Sequence, residues 1–369
     1  MLHGATVVLG DKLGLYQTMA ALGPASAAAI AEGAGCDERF VREWANAQAA
    51  SEYCHYEPVT DRYWLDAVQA CCLADDAHPA FVVGGMAVAS SLHKDEQTVT
   101  EAFRTGARVG WHEHHMDLFV GTERFFRPGY VANLAASWIP ALEGVEAKLV
   151  AGAAIADVGC GHGASTVLLG QAYPASRVVG SDYHDGSIDV ARRRAAAAGV
   201  DDRVTFEVAS ADTFGGAGYD LVCIFDALHD MGDPEAALRH IRDALAPGGT
   251  LMVVEPNAGD SVEDNLNLVG RIFYSASTFI CTPASRAQGG TAAACLGAQA
   301  GQARLTEIAR RAGFSHVRRA RRRRSTSCSS CAHDPVGRAH AGPTSAALSH
   351  VRNVPAVSSP ITAMSEYAA

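Results

Sequence analysis

At 369 residues, with a net charge of −10 and ten cysteines, the chain exceeds the common single-domain size, so a core domain with an accessory domain is expected. From Val317 onward eight arginines face two acids, which leaves the preceding body more acidic still and disfavours nucleic acid and anionic membrane as partners. No apolar run could span a bilayer, Met1-Leu2-His3-Gly4 lacks the basic-then-apolar pattern of a leader, and the scattered cysteines form no disulfide framework, so a soluble, cytoplasmic protein with reduced, buried thiols is expected.

In chain order, residues 6–21 carry apolar positions at helical spacing and stop at Gly23-Pro24. Residues 26–32 predict a short helix, residues 33–36 a turn, and Asp37 caps a helix that runs to about Ala50. Short strands follow at residues 53–57 and 62–65. Helix, turn, helix and two strands make a winged-helix arrangement. A duplex reader needs cations on its recognition helix, yet residues 1–70 hold four basic and nine acidic side chains, and Arg39 and Arg42 sit among Asp37, Glu38 and Glu43.

Residues 73–144 read as mostly helical, with 94–106 amphipathic and 133–142 packing apolar residues against the second domain. Between them lie Trp111, His112, Glu113, His114 and His115. These histidines lack the i, i+4 spacing that puts two ligands on one helix face, so no metal site is expected there; the segment reads either as a polar and aromatic pocket wall or as plain packing.

The most specific signal is Ile155-Ala156-Asp157-Val158-Gly159-Cys160-Gly161-His162-Gly163. An apolar strand ends in an acid and three alternating glycines, which allow positive φ and close approach of backbone amides to a ligand. Gly159-x-Gly161-x-x-Ala164 also fits a dinucleotide fingerprint, so the neighbours decide. A second apolar run, residues 177–181, leads to Asp182, placed for ribose hydroxyls. A third, residues 203–208, leads to Asp212-Thr213, placed for an adenine amino group. Three acids with no lysine or arginine around the loop suit a cofactor without phosphates and disfavour a nicotinamide dinucleotide.

This pattern resembles the class I S-adenosylmethionine-dependent methyltransferases over roughly residues 141–320. The resemblance implies that Asp157, Gly159, Gly161 and Gly163 hold the methionine part of S-adenosyl-L-methionine, Asp182 and Tyr183 the ribose and adenine, and Asp212 with Thr213 the adenine edge; Asp226 joins the cofactor-binding set. The N-terminal segment, from Leu9 through Trp44, is similar to that of bacterial and plant-type small-molecule O-methyltransferases, where it mediates dimerisation and closes over the substrate. A homodimer through this domain and a small-molecule methyl acceptor are the implied partners.

After the loop, strands and helices alternate: 153–158, 164–172, 177–181, 186–198, 203–208, 219–225, 234–245 and 250–255. That order predicts a doubly wound, Rossmann-like parallel sheet with ligands at its carboxyl ends. Domain boundaries are expected at 1–143 (winged-helix-like and helical), 144–320 (cofactor-binding) and 321–369 (an atypical tail).

His229 and Glu255 fall at the ends of neighbouring strands, where they can meet near a transferable methyl. A histidine titrates near neutrality and a carboxylate can fix its tautomer. Leu228-His229-Asp230 resembles the segment carrying the catalytic base of plant-type O-methyltransferases, with Met231 in place of their tryptophan. The resemblance implies His229 as general base, Glu255 as its orienter and Asp230 beside them. Residues 259–288 predict an inserted helix with Arg271, Phe273, Tyr274 and Phe279 as candidate acceptor contacts and an apolar wall suited to an aromatic or lipid-like acceptor.

Residues 313–318 fit the first strand of a terminal antiparallel hairpin. Its partner is not visible: Arg318 to Arg324 and a Ser-, Ala- and Pro-rich tail, with Cys328-x-x-Cys331 in no metal or redox context, read as a disordered appendage left by a changed reading frame. An exposed sheet edge is the expected consequence. A second functional reading, a ligand-responsive winged-helix regulator that keeps the cofactor fold as a sensor, is opposed by the acidic charge of the first 70 residues.

Overall fold

The computed structural model describes residues 2–322 and 326–332. Four helices open it: α1 (Leu2–Lys12), α2 (Leu15–Leu22), α3 (Ala27–Ala34) and α4 (Glu38–Ala50). The helix expected at 6–21 is two helices, because Gly14 takes left-handed φ 67° and turns the chain. Ser26 accepts from the Ala29 amide and Asp37 from those of Arg39 and Phe40, so both helices start on side-chain caps. β1 (His55–Glu57) and β2 (Arg62–Trp64) pair antiparallel as the wing. Tyr16, Met19, Ile30, Trp44 and Tyr63 fill the core of this unit.

The connecting helices are α5 (Ala67–Leu73), α6 (Val83–Leu92), α7 (Glu96–Thr105) and α8 (Met116–Asn133). α6 and α8 meet at backbone distance: a Cβ on Gly84 would lie 2.4 Å from the Phe125 amide nitrogen, and one on Gly121 2.8 Å from that of Val88. Ion pairs fasten α8 to the winged unit, Arg124 to Asp11 (2.8 Å) and Lys12 to Asp117 (2.9 Å). Beyond α8, Trp138, Ile139 and Leu142 are buried in the core of the large sheet, as their apolar pattern predicts.

The second half holds α9 (Val145–Ala151), β3 (Ala154–Val158), α10 (Ala164–Ala172), β4 (Arg177–Asp182), α11 (Asp185–Ala197), β5 (Val204–Val208), β6 (Tyr219–Phe225), α12 (Pro234–Ala244), β7 (Leu245–Pro256), α13 (Leu268–Phe279), α14 (Cys281–Gly289), α15 (Gln302–Arg311), β8 (His316–Arg322) and β9 (Thr326–Ala332). The sheet order is β5-β4-β3-β6-β7-β9-β8. β3 to β7 are parallel and β9 runs antiparallel to both neighbours. Chain order reverses direction between β3 and β6, the crevice where ligands bind in such sheets.

The hairpin has its partner strand after all, contrary to expectation. β9 pairs with β7 from Thr250 to Pro256 and with β8 from His316 to Arg322, so the arginine run is a strand through Arg322 and part of the tail is sheet. The strand escapes pattern reading because Thr-Ser-Cys-Ser-Ser-Cys-Ala has no large apolar residue; Ser329 and Cys331, two apart, are nonetheless buried. The edge that remains, β8, carries arginines, a charge pattern that opposes pairing with another chain. Residues beyond Ala332, and with them the rest of the tail reading, lie outside the described residues. No helix among the described residues is long and apolar enough to cross a membrane.

Candidate active site

A cavity of about 530 Å³ lies at the carboxyl ends of β3, β4 and β6, roofed by Trp111 and by Phe119, Glu123, Phe126 and Tyr130 of α8. Among the described residues no lysine or arginine lines it, whereas Glu123, Asp182, Asp212, Asp226, Asp230 and Asp233 do.

The glycine loop forms one end. Gly159, Gly161 and Gly163 have φ 73°, 52° and 77°, the left-handed region glycine enters without cost. Gly161 has nothing within 4 Å of a built Cβ, so its surface is open, whereas Gly163 is enclosed by Ala191 (2.8 Å) and Phe206 (3.0 Å). The Gly161 amide donates to Asp182 Oδ2 (3.0 Å) and that of His184 to Oδ1 (2.9 Å). Burial pushes the Asp182 carboxyl up. Asp182 and Tyr183 line the cavity, as does Asp212, which accepts from Ser210 Oγ; Thr213 does not.

Asp157 stands behind the loop rather than on the cavity wall. It is buried, and Oδ2 accepts from Ser165 Oγ and Thr166 Oγ1, both 2.6 Å, in the first turn of α10. Oδ1 has no donor, and burial pushes the carboxyl up to about 6. An orphaned acceptor under the loop, an open Gly161 and a wall without lysine or arginine among the described residues together fit a cofactor that brings an ammonium and no phosphate.

At the other end β6 and β7 bring His229 and Glu255 together, as their strand positions suggested. His229 Nδ1 pairs with Glu255 Oε2, and Glu255 Oε1 accepts from the Leu228 (2.9 Å) and His229 (3.4 Å) amides. The ring does not reach the cavity wall. Its Nε2 stands 3.2 Å from Asp230 Oδ1, and Asp230 does line the cavity, with Oδ2 accepting from Trp111 Nε1 (3.0 Å). Burial opposes charge on the imidazole, but Glu255 and Asp230 outweigh it and hold its proton well above 6.5. Cys281, in sequence one buried thiol among ten, lies within 4.8 Å of the His229 and Asp230 ligand atoms.

Arg271, Phe273, Tyr274 and Phe279 do not line the cavity; the inserted segment reaches it with Gln288 and Gly289 instead. Gln288 Nε2 donates to the Asp230 carbonyl (2.8 Å) and Ser285 Oγ to that of Met231 (2.9 Å). Of the expected histidine wall, Trp111 lines the cavity. His114 is buried against Asp95 (2.9 Å) and His115 caps α8. A clamp from roof to loop has no counterpart in the sequence reading: Glu123 binds Arg194 (2.5 Å) and His162 (3.4 Å).

Residues 149–313 match the family described as "Methyltransferase domain", and residues 3–75 that described as "Rv2258c-like winged HTH domain". Over 101 residues the chain is 35% identical to demethylmenaquinone methyltransferase of Thermus thermophilus, covering 27% of this chain and 46% of that one. Over 105 residues it is 35% identical to 27-O-demethylrifamycin SV methyltransferase of Amycolatopsis mediterranei, covering 28% and 38%. The chain thus spans less than half the length of these curated relatives. An O-methyltransferase family protein from Burkholderia thailandensis superposes at TM-score 0.66 and 15% identity over 91% of this chain and 95% of that one. Human N-acetylserotonin methyltransferase does so at 0.67 and 14% over 90% and 94%. At such identities the likeness is one of fold.

Sheet order and glycine loop are those of a Rossmann-like methyltransferase fold. Residues 149–313 are thus a methyltransferase domain, set behind an Rv2258c-like winged helix-turn-helix domain at residues 3–75.

Proposed function

We propose that this protein transfers the methyl group of S-adenosyl-L-methionine to an oxygen of a small apolar or aromatic acceptor. The observation that carries the reading is one continuous cavity running from the glycine loop to Asp230 under an aromatic roof. The cofactor supplies an electrophilic methyl on a sulfonium. Gly159, Gly161, Asp182, Tyr183 and Asp212 hold it from the sheet side, with Asp157 and Gly163 shaping the loop from behind and Thr213 bracing Ser210 beside Asp212 (2.7 Å).

For a hydroxyl acceptor the residues must fix its direction and take its proton. Trp111, Phe119, Phe126 and Met231 provide the apolar wall. Asp230 is the member of the His229–Glu255–Asp230 cluster on that wall. It receives the proton and shares it with His229, whose ring Glu255 orients. Calorimetry with S-adenosylhomocysteine and with NAD tests the cofactor assignment: the first binds and the second does not, and the opposite result removes the proposal.

The winged unit serves as a dimerisation platform rather than a duplex reader. On α4, Arg39 pairs with Glu43 (2.7 Å) and Arg42 with Glu38 and Asp61 (3.3 and 2.8 Å), so its cations are already neutralised, and Phe40 beside them is 79% exposed. Light scattering on the full chain should report a dimer. Salt-dependent duplex binding would favour the regulator reading instead.

A further inference from the structure

Asp226 sits between the two ends of the cavity in a conformation that asks for an explanation. It follows β6 with φ 50°, left-handed for a residue with a side chain, a strained conformation that persists only where the surroundings enforce it. Its amide donates to the Val254 carbonyl (2.8 Å). Ala227 abuts the glycine loop, since a Cβ on Gly159 would lie 3.0 Å from its own.

The side chain is half satisfied. Oδ2 accepts from Tyr130 Oη of α8 (2.9 Å), while Oδ1 is sealed from water and has no donor. The rings of Tyr130 and of the preceding Phe225 lie tilted to each other at 5.3 Å, with Trp138 stacked on Phe225 at 6.2 Å. The groups that face it are Tyr130, Glu255 of β7, and His229 and Asp230 of the loop after β6; Asp157 of β3 faces Tyr130. Burial above all, then the Glu255 charge, pushes the carboxyl up to about 8. An ionised Asp226 would therefore be an anion in aromatic surroundings, on a cavity whose lining holds no lysine or arginine among the described residues.

We propose that Asp226 is the counter-charge of the sulfonium, so that entry of the charged cofactor into the cavity expels one proton from Asp226 to solvent. Transfer of the methyl leaves a neutral thioether, Asp226 recovers a proton, and the site discriminates the charged cofactor from its spent form. This rests on the S-adenosylmethionine reading. The ammonium and carboxylate are common to both forms, so the sulfonium is the charge that differs.

The test is calorimetry of the full chain at neutral pH with S-adenosylmethionine and S-adenosylhomocysteine, each in two buffers of different ionisation enthalpy. Close to one proton is released per S-adenosylmethionine bound and close to none per S-adenosylhomocysteine. The dissociation constant of the former falls about tenfold per pH unit and levels near 8, while that of the latter stays flat across the same range. Asp226→Asn abolishes the release and the slope, and leaves S-adenosylhomocysteine affinity within about twofold. Equal release by both ligands, which would assign Asp226 to the ammonium, overturns the proposal, as does undiminished release in the variant. Failure of S-adenosylhomocysteine to bind at all overturns the cofactor reading itself. The proton count is made on the unaltered chain and stands even where the variant does not fold.

Discussion

Trp111 Nε1 donates to Asp230 Oδ2 at 3.0 Å across 119 positions of sequence. This bond joins the segment before α8 to the loop after β6, so roof and acid are positioned by one contact. Removing the donor leaves a buried carboxylate oxygen unsatisfied, at a cost of about 1.5–3 kcal/mol.

Trp111→Phe keeps an aromatic ring and loses the N–H. The expected result is a ten- to hundredfold fall in kcat/KM for the acceptor, roughly what that cost implies. S-adenosylhomocysteine affinity stays unchanged, because the glycine loop is untouched. Steady-state kinetics beside calorimetry separates the two effects; an equal loss in both would mean that Trp111 merely props up the fold.

Protonation of the His229 cluster sets a pH limb. On the proposed mechanism the cluster acts in its deprotonated form, and Glu255 with Asp230 holds the imidazole proton above 6.5, so the rate should climb with pH through a value above that. Glu255→Gln removes the larger of the opposing charges and shifts the limb downward while lowering kcat. For stability the sign is reversed: a raised histidine favours the fold fully below the unfolded value and loses that contribution as pH rises through the folded one. A pH–rate profile whose acid limb does not move in Glu255→Gln would remove His229 from the proton path.

Two glycines of one loop predict opposite phenotypes. Ala at Gly163 meets Ala191 at 2.8 Å and Phe206 at 3.0 Å with φ 77°, so Gly163→Ala combines strain with overpacking and should lower stability by about 2–4 kcal/mol. Gly161→Ala adds a methyl to open space at φ 52° and should cost only the strain, about 1–2 kcal/mol. Its main effect is loss of cofactor affinity, since the methyl enters the cradle. Thermal melts and S-adenosylhomocysteine titration of both variants decide the assignment.

Local chemistry explains what is legible in the sequence. Positive φ favours glycine, so Gly159, Gly161 and Gly163 announce the loop; Ser26 and Asp37 announce helix starts because their side chains replace missing backbone partners. Apolar strands announce the parallel sheet. The hidden features depend on contacts with no local signature. Trp111 and Asp230 are far apart in sequence, and Cys281 reaches His229 only because α14 folds over the loop. The retreat of His229 behind Asp230 is set by its ring orientation, which strand order does not specify. β9 is hidden differently: its small residues are held by ladder bonds and by Ser329 Oγ on Gln302 (3.2 Å), not by an apolar stripe.

The place of β9 in the sheet yields the last prediction. Between Thr250 and Pro256, β7 is paired on one side by β6 and on the other by β9, and β8 reaches the sheet only through β9. A chain ended after Asp334 keeps both ladders and the compact unit that closes there, so it should melt and bind S-adenosylhomocysteine like the full chain. A chain ended before Thr326 leaves β7 with an open edge beside apolar Leu251 and Val253, and leaves β8 without a partner strand among the described residues. Unpaired edges of this kind template association with other chains. The shorter protein should therefore elute as aggregate in size-exclusion chromatography, and its soluble yield should fall by roughly an order of magnitude or more. Equal melting temperatures for the two truncations would show that the sheet is stable as five parallel strands and that β9 adds nothing to the cofactor domain.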